Sequence, residues 1–258
     1  MNKNKKGQMT IWIIVAVAII VLAIIGFFVY NYNLKYQIER PMQELNPNIF
    51  MGECLGDYIE PIVMTMSKQG GYLAEPAIFI PYNGSKVGYL CYTNEAYKIC
   101  YNQQPFLDKF IEQQLKEELK KQNAVKNCLI NFESRAKGMN YQITRCQGPD
   151  FNVTLTNNEI ITNFDCAITL TKNDKTQRYE KVEAVYAHPL GEFIALAMQI
   201  VDKEITLGEF NLILGQFYNP NIEILRIKAE KTKIYVLHKL NTDKSFVFGV
   251  KNLFQPVL

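Results

Sequence analysis

The longest hydrophobic stretch of the chain lies near its start. No charged side chain occurs from Gln8 to Tyr30, and three lysines precede this run within residues 3–6. An α-helix rises ~1.5 Å per residue, so ~20 apolar residues cross the hydrocarbon core of a bilayer. A helix on the surface of a soluble protein needs a polar face, and this segment has none. The pattern therefore predicts a transmembrane helix over residues 8–30.

The flanking charges predict how this helix is oriented. Lysine clusters stay on the cytoplasmic side of a membrane, and the first charge after the run is Lys35. Residues 1–7 are thus expected in the cytoplasm, and the large C-terminal part outside the cell. Trp12 near one end and Tyr30 near the other fit the aromatic belts of a spanning helix. The alternative is a cleaved signal peptide, but the apolar core of such peptides is usually ~7–15 residues long and is followed by a small-x-small cleavage site.

The residues just before the apolar run resemble a known processing signal. Lys5-Lys6-Gly7-Gln8-Met9-Thr10, followed directly by the apolar helix, resembles an archaeal class III leader of the kind found on type IV pilin-like proteins. The resemblance implies cleavage after Gly7, with Gln8 as the new N-terminus. Many pilins carry a glutamate at the fifth mature position, where this chain has Trp12.

A second resemblance lies beyond the leader. The segments Glu53-Cys54-Leu55, Gln69-Gly70-Gly71-Tyr72 and Ile80-Pro81-Tyr82-Asn83-Gly84 resemble a family of uncharacterised single-pass archaeal envelope proteins. The likeness extends loosely to Asn127-Cys128-Leu129. The family implies a location and an architecture, and it has no known activity to carry over.

Past the apolar run, the pattern predicts a stem over residues 31–48 and one extracellular domain over residues 49–258. A turn at residues 46–48 is expected to precede a helix over residues 49–69 that ends at two glycines. A second, long amphipathic helix is predicted from Pro105 to about Cys128. Its core stripe repeats every fourth residue: Leu107, Ile111, Leu115 and Leu119.

The second half of the domain is predicted to be richer in strands. Alternating, β-branched segments predict strands over residues 141–144, 151–156, 159–170 and 178–187, with turns at residues 157–158 and 173–174. A helix is expected after Pro189, and a capping box over residues 206–209 predicts another, through Leu212, Ile213 and Phe217. Strands over residues 222–228, 233–239 and 245–251 predict a closing antiparallel meander. Because strands occur in runs, the fold class is α+β, with an antiparallel sheet and packed helices behind the N-terminal transmembrane helix.

All six cysteines follow the predicted span: Cys54, Cys91, Cys100, Cys128, Cys146 and Cys166. An even number in an exported domain predicts disulfides, although six cysteines allow 15 connectivities. A hairpin that turns near residues 95–96 would place Cys91 opposite Cys100, close enough to bridge. Cys54 is predicted to pair with Cys128, since both lie near helices with apolar neighbours, and Cys146 with Cys166 by elimination. A zinc site is the alternative, but the short Cys spacing typical of zinc ligands is missing from the sequence.

Composition and charge exclude two classes of protein. Hydrophobic residues make up 48% of the chain and aromatic residues 12%, which a disordered stalk would not reach. The net charge is +3, and the three lysines before the apolar run account for it, so the rest of the chain is neutral. A nucleic-acid partner is therefore not expected, because such proteins carry a basic face.

Familiar signatures of catalysis are missing from the sequence. The only histidines are His188 and His238, and no H-E-x-x-H, G-x-S-x-G or P-loop motif occurs. His188, just before Pro189, is expected to have a capping or loop role, and His238 a structural one. We predict no catalytic residue, no cofactor and no metal site from these patterns.

Tyrosines form the most distinctive cluster of the predicted hairpin region: Tyr82, Tyr89, Tyr92, Tyr97 and Tyr101. Tyrosine is enriched at recognition surfaces because it offers a large contact area with a polar tip. The cluster is a possible interaction surface. The alternative is that half of these side chains pack the hairpin onto the domain.

Two functional hypotheses remain open at this point. The first is a membrane-anchored cell-surface or envelope protein with a binding or structural role, such as a minor pilin-like subunit or an adhesin. Its expected partners are the lipid bilayer, other envelope or surface proteins, and further copies of the chain through the membrane helix. The second is a tethered extracellular enzyme with an unrecognised site, for which a deep pocket with convergent polar groups would be the discriminating feature.

Overall fold

The computed structural model describes residues 19–27, 45–229 and 231–253. The chain divides into two compact units, Met1–Leu45 and Asn46–Leu258. In the first unit, residues 19–27 form a helical segment, α1, whose side chains are exposed. The predicted leader, the stem up to residue 44 and most of the predicted transmembrane helix lie outside the described residues. Within the described ranges, we find no helix that is both long enough and apolar enough to cross a bilayer.

The second unit contains five helices among its described residues. They are α2 (Pro47–Lys68), α3 (Leu107–Lys121), α4 (Ala124–Gly138), α5 (Leu190–Leu207) and α6 (Leu212–Tyr218). The first six strands are β1 (Phe79–Tyr82), β2 (Ser85–Tyr92), β3 (Tyr101–Asn102), β4 (Gln142–Arg145), β5 (Phe151–Leu155) and β6 (Glu159–Phe164). The remaining strands are β7 (Ile168–Lys172), β8 (Lys175–Tyr179), β9 (Val182–Ala187), β10 (Ile222–Ala229), β11 (Thr232–Lys239) and β12 (Ser245–Lys251).

The strands form three sheets that are mostly antiparallel. The largest has the order β1-β2-β12-β11-β10, with β3 paired to β2, and the two smaller sheets have the orders β4-β7-β8 and β5-β6-β9. Strand β12 runs parallel to β2, which joins the end of the domain to its first half. The predicted α+β class with antiparallel sheets is confirmed, as is the closing meander of β10, β11 and β12.

Helix α2 is the central element of the core. Its buried apolar face repeats with helical spacing: Met51, Leu55, Ile59, Val63 and Met66. The helix packs against β9 and α4. Gly52 permits the close approach to β9, because an added Cβ there would lie 2.6 Å from the Val185 carbonyl oxygen.

The start of α2 corrects the predicted turn at residues 46–48. Asn46 is the N-cap of the helix, and its side chain accepts a hydrogen bond of 2.9 Å from the Asn48 N–H. Pro47 occupies the first helical turn, where a missing N–H costs nothing. The Asn-Pro pair therefore opens the helix.

The segments predicted as single strands over residues 159–170 and 178–187 each contain parts of two strands, β6 with β7 and β8 with β9. Two helix boundaries also differ from the prediction, each because of one residue's backbone. The long helix expected to end near Cys128 is two helices, since Asn123 adopts a left-handed conformation with φ 53° and separates α3 from α4. The capping box at residues 206–209 does not form. Gly208, with φ 77°, ends α5, and Asn211 caps α6 by accepting from the Leu214 N–H.

The six cysteines form three disulfide bonds, with the predicted pairing. Cys54 bonds Cys128 with a Cα–Cα distance of 5.8 Å, and both Cys91–Cys100 and Cys146–Cys166 have Cα–Cα distances of 5.4 Å. The strand register assumed for the second pair is wrong. Cys91 lies opposite Asn102 in the ladder, so Cys100 reaches it from the loop just before β3.

Candidate functional site

The first candidate site is the segment from the end of β2 to the first residue of β3, residues 93–101, which we call the tyrosine loop. The Cys91–Cys100 bond closes it at its base. The Thr93 N–H donates to the Lys251 carbonyl at 3.0 Å, and the Thr93 hydroxyl accepts from the Glu95 N–H at 3.2 Å. Lys98 forms an ion pair with Glu95 within the loop. The loop is therefore held at its base and within its own span.

Tyr97 occupies the tip of this loop in an unusual conformation. Its φ of 62° lies in the left-handed region, which an aromatic residue rarely adopts, and its side chain is 83% exposed. Such backbone strain persists only where the surrounding structure enforces it, and it clusters at functional sites. The loop presents a large aromatic ring to solvent.

The five predicted surface tyrosines divide into different environments. Tyr101 is exposed like Tyr97, whereas Tyr82 and Tyr92 are half-buried. Tyr89 is buried, with its ring centroid 5.1 Å from that of Tyr92, so it is removed from the predicted surface. Strand β2 is flanked by β1 and β12, and both of its faces are covered, since residues 87–91 are all buried. The packing alternative therefore holds for Tyr89, and the exposed part of the cluster is Tyr97 and Tyr101.

A second candidate site is a polar pocket of about 220 Å³ at the end of α2, which we call the His188 pocket. Three elements meet there: the last turns of α2, the junction of β9 with α5, and the β11–β12 turn. The lining residues are Glu60, Met64, Ser67, Lys68, His188, Asp243, Lys244 and Ser245.

A carboxylate at one side of the pocket is held by two donors. Glu60 accepts a hydrogen bond from the Tyr186 hydroxyl and another from the Lys244 ammonium group. Burial pushes the pKa of Glu60 up, but the hydrogen bonds from Lys244 and Tyr186 outweigh it and leave this pKa lowered. Burial and the hydrogen bond to Glu60 raise the pKa of Tyr186 above its ordinary value. Glu60 is therefore ionised and its charge is matched by Lys244.

His188 is a buried side chain with an unused nitrogen. It lies in the loop before Pro189, as expected, and its ring stacks on Tyr186 at a centroid distance of 6.3 Å. The start of α5 carries no side-chain cap, so the capping role is not seen. Burial lowers the pKa of His188 to about 4, which keeps the ring neutral at pH 7. Its Nδ1 has no hydrogen-bond partner among the described residues, and neither has the buried Ser67 hydroxyl in the same pocket.

The neutral state of His188 predicts acid sensitivity of the fold. Its folded-state pKa of about 4 lies below the ordinary 6.5, so between these pH values the unfolded chain takes up the proton first. Stability should be undiminished above pH 6.5 and fall by up to ~3 kcal/mol as the pH drops to 4. We expect His188→Gln to flatten this slope in urea titrations at pH 7, 5.5 and 4.5. An unchanged slope in that variant would assign the acid sensitivity to other groups.

A third cluster surrounds the fully buried carboxylate of Glu204 on α5. It accepts from the Lys233 ammonium group at 2.6 Å, from the Phe210 N–H at 3.2 Å and from the Tyr235 hydroxyl. Burial and the nearby Glu204 charge raise the pKa of Tyr235 above its ordinary value. Every oxygen of Glu204 is thus engaged, which identifies this cluster as a structural link between α5 and β11.

Helix α6 presents an apolar face to solvent. Ile213, Leu214, Phe217 and Tyr218 are exposed, and Gly215 is its buried residue. The helix is short, and Gly215 approaches Phe210 and Ile224 so closely that the other side chains point away from the domain. The exposed side chains of α6 therefore form an apolar patch on the surface of the second unit.

Sequence reasoning missed the His188 pocket. Its residues come from positions 60–68, 188 and 243–245, and each alone has an ordinary pattern for a helix, a loop or a turn. The histidine beside a proline was the available signal. Among the described residues, His, Cys, Asp and Glu side chains form no group of three or more placed to hold a metal ion.

Comparison of the chain with protein-family models, with curated proteins and with solved structures finds no match.

Proposed function

We propose that this protein is anchored in the cell membrane by its N-terminal helix and binds a surface or envelope partner through the tyrosine loop of an extracellular domain. The proposal includes the roles of a minor pilin-like subunit and of an adhesin. The observation that carries the binding role is Tyr97, an exposed aromatic ring on a disulfide-closed loop.

The disulfides support an extracellular location for the domain. All six cysteines are bonded in pairs, and such bonds persist in oxidising environments and are rare in the cytosol. The glycosylation sequons at Asn83 and Asn152 fit the same location, since both asparagines are exposed. The uncharged run over residues 8–30 and the lysines before it support the anchor and its orientation.

The tyrosine loop has the properties of a recognition element. A loop with fixed ends loses little conformational entropy on binding, which leaves more of the contact energy as affinity. Tyrosine is among the residues that dominate binding energy at interfaces, and Tyr97 and Tyr101 offer two such rings. Ile99, in the same loop, is also exposed and adds apolar area.

Protease added to intact cells tests the location. We expect the domain beyond residue 45 to be removed, and the intact mass of the purified protein to start at Gln8. A mature start at Met1 or Asn2 would leave a plain signal anchor. A domain that is cut only after cell lysis would contradict the proposed orientation.

Photo-crosslinking on intact cells tests the binding role. We replace Tyr97 by a photoreactive phenylalanine analogue and, as a matched control, place the same analogue at Lys181, whose side chain is 81% exposed. Illumination should give a discrete crosslinked product at position 97 and none at position 181. Equal products at both positions, or none at position 97, would rule out the tyrosine loop as the binding element.

The tethered extracellular enzyme remains the second hypothesis, and the His188 pocket is where it would act. Nucleophilic catalysis requires a nucleophile within hydrogen-bond distance of its base. Ser67 and His188 both line the pocket, yet Ser67 Oγ and His188 Nδ1 have no partner within the described part of the chain, and so do not bond each other. This geometry favours ligand binding over catalysis at the pocket.

A further inference from the structure

We propose that the His188 pocket binds one neutral, polyhydroxylated unit of monosaccharide size. This inference concerns a different part of the domain from the tyrosine loop and does not depend on it. Its first support is the pair of unused polar atoms. Ser67 and His188 are each 5% exposed, and their Oγ and Nδ1 atoms lack partners among the described residues.

Buried polar atoms without partners are rare, and each calls for an explanation. Here both belong to residues that line one cavity, although they come from α2 and from the loop before α5. One bound molecule with polar groups would complete both once the neighbouring lining side chains shift to admit it, because neither atom is open to solvent in the free protein. Thr162 carries the other unpartnered buried hydroxyl of the described residues, but it lies outside this pocket.

The charge of the lining selects against ionic ligands. Glu60 and Asp243 supply two negative charges, Lys68 and Lys244 supply two positive charges, and His188 is neutral. Lys244 is already engaged, since it pairs with Glu60 and lies 3.8 Å from Asp243. A charged ligand would leave an uncompensated charge in a partly buried site, which is costly.

The pocket lining offers both hydrogen-bond donors and hydrogen-bond acceptors, which favours a ligand that carries hydroxyl groups. Ammonium groups only donate hydrogen bonds and ionised carboxylates only accept them, whereas the serine hydroxyl does both. A ligand with several hydroxyls can hydrogen-bond to the ammonium groups, the carboxylates and the serine hydroxyl, because each ligand hydroxyl both donates and accepts. Met64 adds an apolar patch for the C–H face of such a ligand. A volume of about 220 Å³ is below the range of typical drug-sized sites, which fits one small unit.

The test uses the full chain, solubilised in a detergent without a sugar headgroup. Saturation-transfer NMR titrations compare neutral probes, namely methyl glucoside, methyl galactoside, free glucose, free galactose and myo-inositol, with charged glucuronate and glucosamine. We expect at least one neutral probe to bind with a Kd of about 1 mM, the range for a small ligand with few contacts. Methyl glycosides that bind as well as free sugars would identify the source as the end of a glycan chain, and a preference for free sugars would identify a soluble monosaccharide.

Two matched variants connect the binding to the pocket. Ser67→Ala should weaken the neutral probe by about tenfold, while Thr162→Ala should leave its Kd unchanged. Both variants remove an unpartnered buried hydroxyl, so both should fold, and the probe should raise the melting temperature of Thr162→Ala but not of Ser67→Ala. The proposal fails if no neutral probe saturates, if the two variants bind alike, or if glucuronate or glucosamine binds more tightly than every neutral probe.

Discussion

Replacing Cys54 and Cys128 together by serine should lower the free energy of unfolding by about 4.5 kcal/mol, the largest effect we expect from one disulfide of this chain. The bond joins α2 to α4 across a sequence separation of 74 residues. Closing a long loop restricts the unfolded chain more than closing a short one, so its removal costs more. Cys128 is buried, and so are Cys91 and Cys100 of the control described next, so serine places a hydroxyl in an apolar site in both double variants.

The Cys91–Cys100 bond is the matched control, because its sequence separation is only 9 residues. The same double replacement there should cost about 2.7 kcal/mol by the same reasoning. Urea unfolding of the full chain under non-reducing conditions measures both values. Equal losses for the two double variants, or a larger loss for the short loop, would contradict the loop-length argument for this domain.

Glu204→Gln should lower the free energy of unfolding by about 3 kcal/mol, because it breaks a buried ion pair by removing one partner. The amide keeps the shape of the side chain and can still accept from Tyr235 and the Phe210 N–H. It cannot neutralise Lys233, whose side chain is only 15% exposed. An uncompensated buried charge is the main source of the loss.

Glu180→Gln is the control for this prediction. Glu180 pairs with Arg178 at 2.8 Å, and both side chains are exposed, so the change strands no buried charge and should leave the free energy of unfolding nearly unchanged. Adding Lys233→Met to Glu204→Gln removes the stranded charge and should restore part of the stability. Chemical denaturation measures the free energy of unfolding of the wild type and of the three variants. If adding Lys233→Met restores no stability, the loss in Glu204→Gln has another cause than the stranded charge.

Local patterns were sufficient for several parts of the fold. The closing meander follows from three alternating segments, and the structure pairs them as β10, β11 and β12. The turn at residues 173–174 has positive φ at both Asn173 and Asp174, which these side chains tolerate. The stripe from Leu107 to Leu119 is buried along its length. In each case, the prediction depends on a pattern of residues that lie close together in the chain.

Patterns failed where a helix boundary depended on one backbone conformation. Asn123 divides a continuous apolar stripe into α3 and α4 through a left-handed φ, which residue type alone does not predict. Thr206 matched a capping box but lies within α5, where its hydroxyl donates to the Asp202 carbonyl at 2.8 Å. A cap and a helix interior can share the same sequence signature, and tertiary packing selects between them.

The sequence by itself determined the α+β class and the absence of familiar catalytic motifs, because these follow from residue type and periodicity. It predicted the disulfide pairing correctly, although the strand register assumed for Cys91–Cys100 is wrong. Only the tertiary structure decided which tyrosines reach solvent, since Tyr89 is buried by strands that arrive from distant parts of the chain. It also decided that Glu60, Ser67 and His188 share one pocket. These three side chains lie together because α2, the start of α5 and the β11–β12 turn pack against one another. The spacing of residues along the chain does not predict that packing.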